Sequence, residues 1–234
     1  MTTTEQTSTV PDIPGGPFDL EFFFDPGCPF AWQTSVWVRR VMELRGLTVG
    51  WRFISLRFIN EDKELSDGTV RAQERGLRFH RICAAARESL GNDAVADLYR
   101  TFGERFWYDV GEGDVGARMS AAAQATEPDV IIRALGLPED LLAAADDTSW
   151  DVLIRSESDE AFRRTGPDVG TPIITFGGAT GSSLFGPVIS SVPDDATSLA
   201  IYDAVRTLVD QPTFSELKRS ARARLDLPIF GAGS

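Results

Sequence analysis

Hydrophobic and polar positions near the start of the chain predict three elements. Residues 18–24 begin with alternating apolar and charged positions and end in consecutive phenylalanines, which indicates a strand covered on both faces by its end. After the turn at residues 25–27, apolar residues recur at helical spacing as far as Gly46, which is placed to end the helix. A second alternating run, residues 47–53, predicts another strand. Strand, helix and strand within about forty residues match the size of a βαβ unit.

The middle of the chain has a different pattern. From about residue 65 to 165 it is rich in Ala, Arg, Glu and Leu, and Gly or Pro interrupts it at intervals. Helical spacing is clearest in residues 70–91, 93–107, 128–136 and 151–166. This part of the chain is therefore predicted to be an all-helical insertion.

Strands return in the last third. Residues 173–176 and 183–185 flank a Gly-rich turn and predict a hairpin, and a last helix is predicted from Pro193 to about Val209. This element order is that of an α/β thioredoxin-like fold with the helical block inserted after the second strand. The predicted organisation is a flexible N-terminal tail (residues 1–17), a thioredoxin-like domain (residues 18–64 and 166–230) and a helical insertion domain (residues 65–165).

Composition narrows the classes of function. The chain has 234 residues, 42% of them hydrophobic, which suits a soluble protein with one large domain or one domain carrying an insertion. Its net charge of -12 argues against nucleic acid or an anionic membrane surface as partner. Residues 1–17 lack the features of a signal peptide, and a cytoplasmic location is expected. The one basic run, residues 218–224, is interpreted as the solvated last turns of a helix rather than an anion or partner site.

The two cysteines, Cys28 and Cys83, fit a reducing compartment and are too few for a disulfide framework. Cys28 follows the first predicted strand, and Pro29 suits the first helical position, so Cys28 is the N-cap or its neighbour. Unpaired backbone N–H groups and the helix dipole favour a thiolate there, which predicts a lowered pKa for Cys28. The alternative is a buried cysteine that acts as a small hydrophobe, and this is the interpretation preferred for Cys83.

A proline near the third predicted strand supports a reactive Cys28. Thr171-Pro172 stands immediately before that strand, where a trans proline would be awkward, so a cis bond is predicted. In thioredoxin-like proteins this proline faces the cysteine, and the residue before it offers backbone polar groups to a bound thiol or peptide. The residues predicted to bind a thiol are Pro29, Phe30, Ala31, Trp32, Gly170, Thr171 and Pro172.

Four motifs spread over most of the chain carry a family resemblance. In order they are FFFDPGCPFAW, GPDVGTPIITF, FGPVISSVP and FSELKR. Together they resemble the DsbA-like proteins of the actinobacterial mycothiol-dependent nitroreductase family. The resemblance implies the fold with its insertion and cytoplasmic thiol chemistry, with mycothiol or another glutathione-like small thiol as cofactor. It also implies that Cys28 is a nucleophilic thiolate and that Thr171 with cis-Pro172 forms the opposing wall.

The chain departs from that family at one position. Members carry Cys-Pro-Trp-Cys, whereas this chain reads Cys28-Pro29-Phe30-Ala31. A dithiol protein resolves a mixed disulfide with its second thiolate, and Ala31 cannot do so. A disulfide between Cys28 and a small thiol would therefore persist until a second thiol molecule arrived.

A second resemblance leaves the role of Cys28 open. Kappa-class glutathione transferases and 2-hydroxychromene-2-carboxylate isomerases have the same fold and insertion, usually with Ser-Pro-Tyr-Ser or Ser-Pro-Tyr-Ala at this corner. Their corner residue stabilises a thiolate that belongs to the cofactor, which would make Cys28 a hydrogen-bonding partner. A redox-inactive binding protein of thioredoxin fold is a third hypothesis.

Two aromatic residues of the insertion are candidates for a substrate pocket. Trp107 and Tyr108 precede a glycine-rich loop, and they are either core aromatics or rings that stack on an aromatic acceptor above Cys28. His80 is the only histidine and is interpreted as a packing residue, so no metal cofactor is predicted.

The leading hypothesis is a cytoplasmic, monothiol, thioredoxin-fold oxidoreductase with Cys28 as its catalytic residue. It would use a low-molecular-weight thiol to reduce or conjugate a small electrophile. The expected partners are those two small molecules, without nucleic acid or membrane, and a homodimer is left open.

Overall fold

Residues 10–231 are described in the computed structural model, and they form four strands and eight α-helices. The strands are β1 (Leu20–Phe24), β2 (Val49–Phe53), β3 (Ile173–Phe176) and β4 (Ser182–Phe185). The α-helices are α1 (Pro29–Arg45), α2 (Leu56–Ile59), α3 (Asp67–Leu90), α4 (Asn92–Gly103), α5 (Val115–Ala125), α6 (Pro128–Leu135), α7 (Asp151–Thr165) and α8 (Asp195–Val209). A π-helix (Glu104–Tyr108) continues α4, and short 3₁₀-helices occupy Glu139–Asp146, Thr148–Trp150, Gly178–Thr180 and Pro228–Phe230.

The four strands form one sheet in the order β2-β1-β3-β4. β1 pairs in parallel with β2, with Leu20 opposite Val49, and antiparallel with β3, with Phe23 opposite Ile173. β4 pairs antiparallel with β3, which makes the predicted hairpin. Between β2 and β3 the described chain consists of helices and turns, without a strand. This topology confirms the predicted thioredoxin-like α/β fold with its helical segment after the second strand.

Local signals position α1 as the sequence predicts. Pro29 occupies the first turn, and Gly46 ends the helix in the left-handed conformation, with φ 64° and its N–H donated to the Met42 carbonyl. Trp37 and Val41 are buried against the sheet. Because the bounds of this helix follow from its caps, the position of Cys28 at its start is well determined by the sequence.

The face of β1 that is turned toward α7 carries buried charge. Arg52 is fully buried on β2, and its Nε and Nη1 lie 2.8 Å and 2.9 Å from Glu21 Oε2 and Glu157 Oε1. Arg164 and Arg87 extend this network, at 2.6 Å from Glu21 Oε2 and 2.8 Å from Glu157 Oε1. Charged positions of an alternating strand are ordinarily solvated, whereas α7 covers these and supplies their partners.

The last helix and the basic run that follows it differ from the prediction. α8 ends at Val209, just before Gln211-Pro212, because proline lacks the N–H that a helix needs and disfavours helical backbone in the residue before it. The interpretation of residues 218–224 as the end of a helix is therefore wrong, and this run is exposed and irregular. α8 also begins two residues later than predicted, because Asp194 is its N-cap and accepts a hydrogen bond from the Thr197 N–H.

The predicted N-terminal tail is only partly described. Residues 1–9 lie outside the described residues, whereas Val10 and Ile13 are buried. Ile13 packs over β2 at Gly50, where a Cβ would lie 2.7 Å from the Ile13 side chain. The Arg52 guanidinium also donates to the Pro11 carbonyl. These contacts hold residues 10–13 against the sheet.

Candidate functional site

Cys28 lies where β1 gives way to α1, and a distant loop meets it there. It is the N-cap of α1, as predicted, and its Sγ accepts a hydrogen bond from the Ala31 N–H at 3.4 Å. The Cys28 S–H in turn faces the Thr171 carbonyl at 3.7 Å. The Thr171–Pro172 bond is cis, and the Thr171 hydroxyl donates to the Phe23 carbonyl at 3.2 Å. The sulfur is therefore held between the helix start and the loop that leads into β3.

The pKa of Cys28 is shifted in the direction opposite to the one that the sequence predicts. Only 7% of the residue is exposed, and burial raises the pKa of Cys28 to about 12. The Ala31 N–H acts in the opposite direction, and the Asp25 carboxylate raises this pKa as well. The prediction of a lowered pKa is wrong because it considered the helix start alone, whereas loss of water around a sulfur disfavours its charged form.

Asp25 is a buried carboxyl group beside Cys28 that the sequence analysis treated only as part of a turn. Its Oδ1 accepts a hydrogen bond from Gly27 N–H and its Oδ2 from Leu56 N–H, both at 2.7 Å. Among the described residues no cation forms an ion pair with it, and burial raises the pKa of Asp25 to about 7 against those two hydrogen bonds. The group therefore titrates near neutral pH.

Two glycines make room for the Asp25 carboxyl. A Cβ on Gly27 or on Gly76 of α3 would lie 3.2 Å from its Oδ1. The helical insertion thus closes over the Asp-Pro-Gly turn from above. An acidic residue between a buried aromatic strand and a cysteine is the signal that could have identified Asp25 from the sequence.

The other buried polar groups around this corner are neutral. His80 Nε2 lies 3.0 Å from the Phe24 carbonyl, and burial lowers the pKa of His80 to about 3. Tyr99 stacks on Phe24 with ring centroids 3.9 Å apart, and burial raises the pKa of its hydroxyl. Neither side chain changes its charge near neutral pH, in contrast to Asp25.

The residues predicted to bind a thiol differ in how far solvent reaches them. Pro29, Phe30 and Gly170 are partly exposed, whereas Ala31, Trp32, Thr171 and Pro172 are buried. Trp32 packs over α4 at Gly103, where a Cβ would overlap its ring, so Trp32 supports the site from the core. Phe30 is the aromatic side chain of this group that solvent reaches.

The two aromatic residues predicted for a substrate pocket point different ways. The Tyr108 hydroxyl donates to Gln33 Oε1 at 3.0 Å, and its ring lies 5.7 Å from that of Trp32. Trp107 is 3% exposed and packs on Phe106, with centroids 4.6 Å apart. Tyr108 thus reaches the first turns of α1, and Trp107 fills the interior behind it.

A separate cleft of about 380 Å³ lies between α2, α3 and α7 and does not include Cys28. Its charges are balanced, because each of its four arginines has an acidic partner: Arg57 with Glu74, Arg78 with Asp146, Arg81 with Asp151 and Arg155 with Glu61. Within residues 10–231 there is also no group of three or more His, Cys, Asp or Glu residues that could hold a metal ion. No helix in the same range has the length and apolar character needed to cross a membrane.

Comparison with known proteins adds to the geometry. The family model described as mycothiol-dependent nitroreductase Rv2466c matches residues 27–219. The uncharacterized protein Rv2286c of Mycobacterium tuberculosis (strain ATCC 25618 / H37Rv) is 30% identical over 205 residues, covering 86% of this chain and 81% of the relative.

Similar solved structures have low sequence identity. One is the cytosolic disulfide reductase DsbM from Pseudomonas aeruginosa, at 17% identity and a TM-score of 0.48, covering 80% of this chain and 98% of that one. Another is a 2-hydroxychromene-2-carboxylate isomerase, at 14% identity and a TM-score of 0.42, covering 80% and 94%. The family assignment therefore depends on the sequence match, whose residues include the corner built around Cys28. The chain belongs to the Rv2466c-like family, that of the mycothiol-dependent nitroreductase Rv2466c.

Proposed function

We propose that this protein is a monothiol oxidoreductase that uses a low-molecular-weight thiol to reduce or conjugate a small electrophile. The family to which the chain belongs suggests that this thiol is mycothiol. The observation that carries the proposal is the environment of Cys28. Its sulfur is held by the Ala31 N–H and the Thr171 carbonyl, and Ala31 stands where a dithiol protein has its second cysteine. Within the described chain the other cysteine, Cys83, is fully buried in α3. The reaction therefore has one protein thiol to work with.

A thiol with a raised pKa needs a nearby group that accepts its proton when it reacts, and we assign this role to Asp25. Its pKa of about 7 leaves a substantial fraction ionised at neutral pH. No direct hydrogen bond joins the Asp25 carboxyl to the Cys28 sulfur, so an ionised Asp25 would accept the Cys28 proton through one water molecule as the sulfur attacks, which assigns the buried carboxyl as general base. The low local polarity that raises the pKa of Cys28 also makes the attacking sulfur poorly solvated and more nucleophilic.

The reduction can be written in three balanced steps. One thiol adds to the electrophilic atom of the substrate and gives a thioether-like adduct. Cys28 then attacks the sulfur of that adduct; the bond between substrate and sulfur breaks, the substrate leaves with the electron pair and a proton, and a mixed disulfide forms. A second thiol cleaves the mixed disulfide, which restores Cys28 and releases the disulfide of two thiol molecules. Two thiols thereby supply the two electrons, and conjugation stops after the first step.

The surrounding residues are assigned supporting roles in the same proposal. Pro29, Phe30 and the backbone of Gly170 and Thr171 would hold the thiol beside Cys28, with Pro172 fixing the turn. Tyr108, at the start of α1 through its bond to Gln33, would face the electrophile. The helical insertion (residues 65–165) would then supply the substrate side and the thioredoxin-like domain the thiol side. Such chemistry suits the cytoplasm, where small thiols stay reduced.

Intact mass spectrometry tests the covalent step. After incubation with oxidised mycothiol or oxidised glutathione, the wild-type protein should gain the mass of a single thiol, and Cys83→Ala should gain the same mass. Cys28→Ser should gain none and should lose at least about 100-fold in thiol-dependent turnover, since it lacks the nucleophile. An unmodified wild-type protein, or an adduct that persists in Cys28→Ser, would exclude Cys28 as the covalent residue.

The raised pKa of Cys28 also favours a second candidate function. A thiol that stays protonated is a hydrogen-bond donor, and Cys28 could stabilise the thiolate of a bound cofactor in a transferase or isomerase. In that case Cys28→Ser should retain much of its turnover, because the serine hydroxyl donates as well, and no mixed disulfide should form. Loss of nearly all turnover in Cys28→Ser separates the first function from the second.

A further inference from the structure

The last residues of the chain form a strap (residues 211–231) that passes beside the Cys28 site. The Asp226 N–H donates to the Ser190 carbonyl at 2.8 Å. The loop before Ser190 is fixed to α1 by Thr34, whose hydroxyl donates to the Pro187 carbonyl and accepts from the Ile189 N–H at 3.2 Å. The strap is therefore tied, through one loop, to the helix that carries Cys28.

The end of the strap is anchored on the helical insertion. Leu227 and Ile229 are buried, and Arg118 of α5 donates from Nε to the Ile229 carbonyl at 3.1 Å. The Phe230 ring lies 6.1 Å from that of Trp107. Residues 226–230 thereby join the loop that is attached to α1 to the insertion, the two sides assigned to thiol and electrophile.

The part of the strap that leads up to these anchors is basic. It contains Lys218, Arg219, Arg222 and Arg224 within seven positions, in a chain whose net charge is -12. None of the four forms an ion pair with a described carboxylate, and Arg224 donates from Nη2 to the Phe230 carbonyl at 2.8 Å. Their positive charge is thus left for a molecule from solution.

Arg222 directs that charge at the site. Its guanidinium carbon lies 5.6 Å from the ring centroid of Phe30, the partly exposed aromatic residue two positions after Cys28. An arginine that stacks on an aromatic ring keeps the N–H groups at its edge free for a carboxylate or a similar anion.

We propose that Arg222, together with the positive charge of its neighbours on the strap, binds an anionic group of the small molecule that reacts at Cys28. The inference rests on the proposed function for the identity of the site and adds the charge of its substrate. The anion belongs either to the electrophile or to the thiol, and the experiment below separates the two sources.

The first measurement does not require thiol chemistry. In Cys28→Ser, 4-nitrobenzoate and uncharged 4-nitrobenzyl alcohol are titrated while quenching of tryptophan fluorescence is followed. The affinity for the anion relative to the alcohol should fall about 3- to 10-fold in the Arg222→Gln variant, and the preference should weaken at high salt because exposed charges are screened. The matched control is Arg133→Gln, which removes the same charge from an exposed arginine of α6.

The second measurement follows reaction at Cys28 in the Cys83→Ala background. The rate with 5,5′-dithiobis(2-nitrobenzoate), which is anionic, is divided by the rate with uncharged 2,2′-dithiodipyridine. The mixed disulfide is then cleaved with 3-mercaptopropionate or with 2-mercaptoethanol. A lower ratio in Arg222→Gln for the first reaction places the anion on the electrophile, and a lower ratio for the cleavage places it on the thiol.

The outcomes for the two proposals are distinguishable. Failure of both disulfide probes to modify Cys28, with anion preference intact in the titration, removes the thiol chemistry and keeps the anion site. Ratios that change less than twofold in Arg222→Gln, or equally in Arg133→Gln, overturn the anion site whether or not Cys28 reacts.

Discussion

Two buried carboxyl groups four residues apart, Glu21 and Asp25, meet opposite environments. Glu21 on β1 is 3% exposed and lies against Arg52 and Arg164, so its pKa lies below 4.5: burial would raise it, and the two arginines outweigh burial. Asp25, just after β1, is fully buried and receives only backbone N–H groups, so burial raises its pKa to about 7. Residues 21–25 thus contain one carboxylate, on β1, that stays charged, and one carboxyl, just after β1, that can gain or lose a proton.

The difference separates structural from chemical use of buried charge. A buried carboxylate with arginines on both sides is held in one state, and breaking such a group is strongly destabilising. Ionising a buried carboxyl that has no cation nearby costs free energy. Carboxyl groups with a raised pKa are therefore found mainly at functional sites, where they take up or release a proton. The position of Asp25 beside Cys28 is the reason to assign it chemistry, and the position of Glu21 under α7 is the reason to assign it structure.

The largest expected effect is on stability, from the Arg52→Met variant. This change leaves Glu21 and Glu157 with one arginine each in a buried place, and the free energy of unfolding should fall by about 3–5 kcal/mol. Urea unfolding followed by circular dichroism measures it. The control is Arg40→Met, which breaks an exposed pair with Asp195 and should leave stability nearly unchanged. Equal losses of unfolding free energy in the two variants would show that the buried Arg52 network stabilises the fold no more than an exposed ion pair does.

The next effect is the pH dependence of stability, with opposite signs for the two carboxyls. The folded-state pKa of Asp25 is raised from 3.8 to about 7, so between these values the folded protein binds more protons. Its contribution to the free energy of unfolding should therefore fall as pH rises from about 4 to 7, by up to roughly 1.4 kcal/mol per pH unit. Asp25→Asn should abolish this slope.

Glu21 should show the reverse. Its lowered pKa stabilises the fold above about pH 4.5, and that stability is lost as pH falls through the folded-state value. Unfolding free energies measured from pH 3.5 to 8 for wild type, Asp25→Asn and Glu21→Gln give the two differences directly. If stability relative to wild type changed with pH in the same direction for Asp25→Asn and Glu21→Gln, the two carboxyl groups would not lie in opposite electrostatic environments.

The smallest expected effect concerns the thiol itself. In the Cys83→Ala background, the rate of Cys28 alkylation by iodoacetamide should keep rising to pH 10 without a plateau, because burial raises its pKa. Asp25→Asn should slow alkylation near pH 7, because it removes the group proposed to accept the Cys28 proton, even though it also removes a negative charge that raises the pKa of the thiol. A plateau near the value of a free cysteine, about pH 8.5, would show that water reaches the sulfur.

The fold was predictable because its signals are local. The caps of α1, the alternation in β2 and the strand at residues 173–176 are all visible within short windows. The N-cap position of Cys28 follows from Pro29 for the same reason.

The properties that decide the chemistry depend on distant contacts. Glu21 meets Arg164 across 143 positions, and the Cys28 sulfur meets the Thr171 carbonyl across the same separation. No local sequence pattern indicates that these groups are buried. The sequence therefore did not predict the buried ion network, and it predicted the pKa shift of Cys28 in the wrong direction. The path of the strap was missed as well, since residues 211–227 have no regular structure to predict.

The π-helix at Glu104–Tyr108 has a consequence for how related chains can diverge. A π turn holds one residue more than an α turn, and such turns are often sites of a single-residue insertion in an ordinary helix. Deleting one residue there would close the turn and rotate the aromatic rings that follow by about 100° around the axis. A relative without the extra residue would show another side chain to Gln33 and Trp32, so a change of one codon could redirect which small molecules are accepted while the cysteine corner stays as it is.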